Sequence, residues 1–97
     1  MANFSAEAVK WFHQAAEKDF AVAQFNLGVC YELGDGVAKY EVEAYKWYLL
    51  AAAQGDTRGQ RNATTLELMM SQEQVAEGKK RANDWLEQRK KPSNNSR

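Results

Sequence analysis

The sequence predicts an all-α fold, a short solenoid of about five antiparallel helices, on three observations. Shifted against itself by 36 residues, the chain lays Ala8-Val9-Lys10-Trp11-Phe12 over Ala44-Tyr45-Lys46-Trp47-Tyr48, Ala15-Ala16 over Ala51-Ala52, Gln24 over Gln60 and Asn26 over Asn62. A repeat of that length marks a unit that cannot bury its own apolar face and stacks on copies of itself. Proline occurs once, at Pro92, and glycines gather at Gly34, Gly36 and Gly55, a pattern of helices punctuated by turns. Between those turns apolar residues recur at helical spacing.

The first helix is expected from about Ser5 to Lys18, with Ser5 as N-cap and Glu7 placed to favour the positive end of the helix dipole. Ala8, Trp11, Phe12, Ala15 and Ala16 form its apolar stripe, read as core. A short connection at Asp19 leads to a second helix, roughly Phe20 to Leu33, in which Ala23, Leu27, Gly28 and Tyr31 share a face. Glycine inside a helix costs about 1 kcal/mol against alanine, so Gly28 implies a close helix approach. Gly34 fits a left-handed stop, and Val37 an apolar plug in the loop that follows.

The third helix, about Glu41 to Gln54, is apolar on nearly every side, as a helix in the middle of a stack must be. Gly55-Asp56 supplies a stop followed at once by an N-cap for a fourth helix, Thr57 to about Met69. Ser71 and Gln74 are spaced for a capping box, and Met70 and Val75 for a hydrophobic staple. The fifth helix, residues 71–90, carries Val75, Gly78, Ala82, Trp85 and Leu86 on a docking side. It is expected to cap helices three and four. One domain is expected over residues 1–91, with a disordered tail at 92–97.

The 97 residues suit a module better than a catalytic domain with a separate binding part. Residues 1–78 carry six Lys/Arg against eleven Asp/Glu, and residues 79–97 seven against two. Cys30 is the single cysteine, so no intrachain disulfide forms, and no apolar run is long enough for a membrane span. A cytoplasmic protein is expected. His13 and Cys30 lack a third partner for nucleophilic chemistry, with His13 read as a surface residue and Cys30 as core. Zinc spacings, phosphate loops and nucleotide fingerprints do not occur, so no catalytic residue, cofactor or metal is expected.

The segments Ala23-Gln24-Phe25-Asn26-Leu27-Gly28-Val29-Cys30-Tyr31, Gly34-Asp35-Gly36-Val37 and Glu43-Ala44-Tyr45-Lys46-Trp47-Tyr48-Leu49-Leu50-Ala51-Ala52-Ala53-Gln54-Gly55 resemble a Sel-one-like repeat, a relative of the tetratricopeptide repeat. The resemblance implies a right-handed solenoid in which residues 20–54 are one complete repeat and the first helix is a second-type helix without its own partner. Asp19 stands where the family places a glycine between units, and the fourth helix has Ala63-Thr64 in place of Leu-Gly and lacks the loop that follows. No further repeat is expected to follow in the usual geometry.

In such relatives the first-type helices line a concave face. By that resemblance a shallow groove is expected from Val22, Phe25, Val29 and Glu32 on the second helix and Arg58, Arg61, Thr65 and Leu68 on the fourth. Phe25 and Val29 suit an apolar side chain, and Arg58 and Arg61 a carboxylate or backbone carbonyls of a peptide or protein partner. The alternative readings are nucleic-acid contact through Lys79-Lys80-Arg81 and Arg89-Lys90-Lys91, and a small enzyme or ligand-binding protein. The tryptophans are read as core and not as a base-stacking platform. Val9, Phe12 and Phe4 are expected near the uncovered face of the first helix, either forming a homodimer contact or hidden by Phe4 folding back.

Overall fold

The computed structural model describes residues 4–90, so the tail expected at 92–97 lies outside the described residues. Five helices follow one another: α1 (Ala6–Glu17), α2 (Ala21–Leu33), α3 (Glu41–Ala53), α4 (Thr57–Glu67) and α5 (Gln72–Lys90). α2 packs on α1 and α3, α4 on α3, and α5 on α3. The chain is a short right-handed α-solenoid of antiparallel helix pairs, without a strand among the described residues.

Local chemistry sets the helix ends. Ser5 Oγ accepts the Ala8 N–H at 3.1 Å and Asp56 Oδ1 the Arg58 N–H at 3.0 Å. Ser71 Oγ accepts the Gln74 N–H at 3.0 Å while Gln74 Oε1 accepts the Ser71 N–H at 2.9 Å, a reciprocal capping box. α2 ends on Gly34 in the left-handed region, φ 69°, its N–H returning to the Cys30 carbonyl. Asp19, where the resemblance implies a glycine, adopts φ 73°; aspartate is among the few side chains that enter this region readily. Its carbonyl accepts from Gln54 Nε2 at 2.7 Å, and the same amide donates to Gln24 Oε1 at 3.0 Å. Gln24 is fully buried and donates in turn to the Ala16 carbonyl at 3.2 Å, so a polar chain links α1, α2 and the end of α3.

α3 is the axis of the core, with Val42, Ala44, Tyr45, Trp47, Tyr48, Leu50 and Ala51 all buried. The surrounding helices come close because glycines face it. A Cβ on Gly28 would stand 2.6 Å from the Tyr48 ring, and one on Gly59 would stand 2.6 Å from the Tyr48 backbone carbonyl oxygen. Tyr48 Oη donates to Glu32 Oε1 on α2 at 2.6 Å, and Tyr45 Oη to Glu67 Oε2 on α4 at 2.5 Å. Two tyrosines three residues apart thereby hold α3 to both neighbours.

Two expectations are corrected and two are refined. Trp11 is 64% exposed, not core, because no described helix packs on its side of α1. Val9 is buried and Phe12 is met edge-on by Phe4 with ring centres 5.0 Å apart, so of the two alternatives for this patch the structure has the one in which Phe4 folds back over it. The Phe4 N–H, donating to Asp35 Oδ1 at 2.9 Å, holds this fold-back. His13 is half-buried, with Nε2 3.0 Å from Tyr31 Oη and its ring edge-on to Trp47. α5 packs on α3 through Gly78 and Trp85, and Val75 in its first turn on the cluster that holds Ala63 and Leu66 of α4, as expected; its far half also reaches α1. There Trp85 Nε1 donates to Glu17 Oε1 at 3.1 Å. The Arg89 guanidinium stacks 4.0 Å over Trp85, pairs with Asp19 at 3.4 Å and donates to the Glu17 carbonyl.

Candidate partner-binding face

Helical spacing places Val22, Asn26, Val29 and Leu33 on one stripe of α2, turned away from the side that buries Ala23, Gln24, Leu27, Gly28 and Cys30. Val22 is 59% and Leu33 51% exposed, while Val29 and Asn26 are half-buried. Phe25 and Glu32 lie one position round the helix, toward α3. The Phe25 ring centre is 5.8 Å from that of Tyr48, and Glu32 holds the Tyr48 hydroxyl. From α4, the Arg58 guanidinium stacks 4.3 Å over the Phe25 ring while pairing with Asp56 at 2.8 Å. Phe25, Glu32 and Arg58 thus converge around Tyr48, and Val22 and Val29 flank them.

Arg61 and Thr65 are exposed on α4, and Arg61 makes no ion pair among the described residues. α4 ends at Glu67, so Leu68 is its C-cap residue, 84% exposed beside Met69 at 60%. Sequence reasoning missed Asn26 and Leu33, which the 22, 26, 29, 33 spacing signals. It also missed Asn62, which interacts with the Tyr48 hydroxyl and stands one period after Asn26.

Burial, reinforced by hydrogen bonds to Glu32 and Glu67, pushes the Tyr48 and Tyr45 phenols well above their ordinary range. Both hydroxyls stay protonated and act as fixed donors at neutral pH. The hydrogen bond from Arg58 holds the Asp56 carboxyl below the usual carboxylate range. The face therefore offers an apolar stripe on α2, a cationic and hydroxyl edge on α4, and an aromatic floor between them.

Elsewhere the described residues offer little reactive chemistry. Cys30 is fully buried and burial pushes its thiol up to about 11, so it is not a thiolate nucleophile at neutral pH. His13 is engaged by Tyr31, and no cluster of three or more metal-ligating side chains occurs among the described residues. The basic side chains of α5 are largely answered from within the chain. Lys80 pairs with Asp84 at 3.0 Å, Arg81 with Glu77 at 2.8 Å and with Glu43 at 2.7 Å, and Arg89 with Asp19. No described helix is long and apolar enough to cross a membrane.

The family model described as Sel1 repeat matches residues 5–20 and 21–56. Chitin synthase regulatory factor 3 of Schizosaccharomyces pombe is 47% identical over 49 residues, 50% of this chain and 5% of that protein. DAP3-binding cell death enhancer 1 of Rattus norvegicus is 42% identical over 60 residues, 62% of this chain and 12% of that protein. The chain thus spans a small fraction of the curated relatives it matches. Among solved structures, a protective antigen of uropathogenic Escherichia coli with an SLR fold superimposes with a TM-score of 0.83 at 23% identity, covering 97% of this chain and 22% of that one. A Sel1 repeat protein from Oxalobacter formigenes superimposes with a TM-score of 0.64 at 35% identity, covering 82% of this chain and 35% of that one.

Proposed function

The chain belongs to the Sel1 repeat family, and from that premise we propose that it is a non-catalytic adaptor that binds a peptide or protein segment in a shallow groove between α2 and α4. The observation that carries this reading is the uncovered stripe of α2, with Val22 and Leu33 more than half exposed, together with Arg61 on α4, which is exposed and has no ion pair among the described residues. An apolar row next to a cationic edge suits a segment that carries apolar side chains on one side and carboxylates or carbonyls on the other. The names of the curated relatives, a regulatory factor and a DAP3-binding protein, support a protein partner in kind. A buried thiol and a histidine engaged by Tyr31 support the non-catalytic part, and the sequence supports a cytoplasmic location.

The groove is tested by affinity capture from the source cells, comparing wild type with Val22→Asp and Arg61→Glu. Both positions are exposed, so each variant keeps its melting temperature while losing a groove partner. A Lys79→Glu, Lys80→Glu double variant serves as control. Loss with the control and retention with the groove variants would favour the nucleic-acid reading. That binding would fall steeply with salt as counterions are released. The internal pairing of Lys80, Arg81 and Arg89 makes it the weaker of the two.

A further inference from the structure

Trp11 and Trp47 hold the same place in the 36-residue period, yet Trp47 is 0% and Trp11 64% exposed. What covers Trp47 is helical: His13 of α1 lies edge-on at 6.0 Å and Trp85 of α5 at 5.8 Å between ring centres. The corresponding side of α1 faces solvent. Its residues Glu7, Trp11, Gln14 and Lys18 are all exposed and, at steps of four, three and four, form one stripe.

That stripe has a distinctive charge order, an acid at the start of the helix and a base at its end, with the indole between. Turned end for end it is its own complement. In an antiparallel pair centred between Trp11 and Gln14, each Glu7 meets a Lys18 of the second copy, and each indole lies along the opposing Gln14. The two helix dipoles also run in opposition, which favours this arrangement over a parallel one, where Glu7 would meet Glu7.

We propose that this stripe of α1 is the surface through which two copies of the chain pair antiparallel about a two-fold axis, burying Trp11 between two Glu7–Lys18 ion pairs. α1 has 12 residues, about 18 Å of helix, so the contact is small and the dimer weak and concentration-dependent. The pairing leaves the α2–α4 face free and presents two copies of it.

Sedimentation equilibrium between about 10 µM and about 1 mM spans the affinity range of so small a contact. The mass is expected to rise from 11.0 kDa toward twice that value. Trp11→Ala should abolish the rise with an unchanged thermal melt. Glu7→Lys alone and Lys18→Glu alone should each weaken association about tenfold by turning two attractive contacts repulsive, and the double swap should restore it. A mass constant at 11.0 kDa, or association indifferent to Trp11→Ala, overturns the proposal. Association that the double swap fails to restore overturns it as well, because the pairing then is not antiparallel through this stripe.

Discussion

In a solvent-facing stretch of helix, replacing glycine by alanine stabilises by about 1 kcal/mol, because alanine has less backbone freedom to lose. At Gly59 the opposite outcome is expected. The added Cβ would stand 2.6 Å from the Tyr48 carbonyl oxygen and 3.1 Å from both the Ala51 Cβ and the Ala52 nitrogen. Two of these three atoms are backbone of the helix at the centre of the core, so no side-chain rotation relieves the contact and α4 must move outward. Overpacking of this kind costs about 1–3 kcal/mol. A backbone obstacle belongs in the upper part of that range, leaving a net loss of about 1–2 kcal/mol after the propensity gain. For a domain of this size that is a drop in Tm of roughly 5–15 °C. Thermal unfolding followed by circular dichroism measures it, with Asn83→Ala on the exposed side of α5 as a control expected to melt no lower than wild type. A Gly59→Ala protein that melts at or above wild type would refute close packing of α4 on α3.

Trp47→Ala should cost about 3–5 kcal/mol, whereas its period mate Trp11→Ala should leave the melt unchanged. Trp47→Phe should cost less than Trp47→Ala, since Trp47 Nε1 is buried without a hydrogen-bond partner among the described residues and phenylalanine removes that orphan donor. Stability should fall at alkaline pH. Cys30, Tyr45 and Tyr48 have folded pKa values raised above their ordinary 9.0 and 10.0, so their contribution is complete below those values and is lost as pH rises toward the folded ones. Each contributes a slope of up to about 1.4 kcal/mol per pH unit; urea midpoints across that range measure it, and Cys30→Ala should remove the part between pH 9 and 10. Removing everything from Gln72 onward should abolish cooperative melting by uncovering Trp47 and Tyr45, and a truncated chain that still melts sharply as a monomer would show α5 to be dispensable.

The helices and their caps were legible because each depends on neighbours close in sequence. Ser5, Gly34, Asp56 and the Ser71/Gln74 pair act within a turn of themselves, and the period carried the phase of the first four helices. Phase, however, says which way a side chain points and not what stands there. Trp11 and Trp47 have equal phase and opposite burial because one lies at the end of the stack and the other at its centre. The same limit hid the destination of α5. Its stripe of Gly78, Ala82 and Trp85 was visible, but its reach to Glu17 and Asp19 depends on the angle at which it crosses α3. In the candidate face, the apolar members on α2 follow from spacing alone. The Tyr48–Glu32 contact required the register of α3 against α2 and the Phe25–Arg58 contact the distance between α2 and α4, neither of which a local pattern encodes.

The closure of α5 onto the end of α1 bears on how the chain folds. A linear repeat array can nucleate anywhere and fray from either end, since each unit touches only its neighbours. Here Trp85 and Arg89 bond to Glu17 across 68 and 72 residues of sequence. The entropy of closing so long a loop must be met before those contacts form. The last helix therefore completes the first, and a nascent chain still lacking it on the ribosome leaves Trp47 without its Trp85 cover. Folding is then expected to be slower and more nearly all-or-none than in an open array of similar length, with the two ends losing hydrogen-exchange protection together.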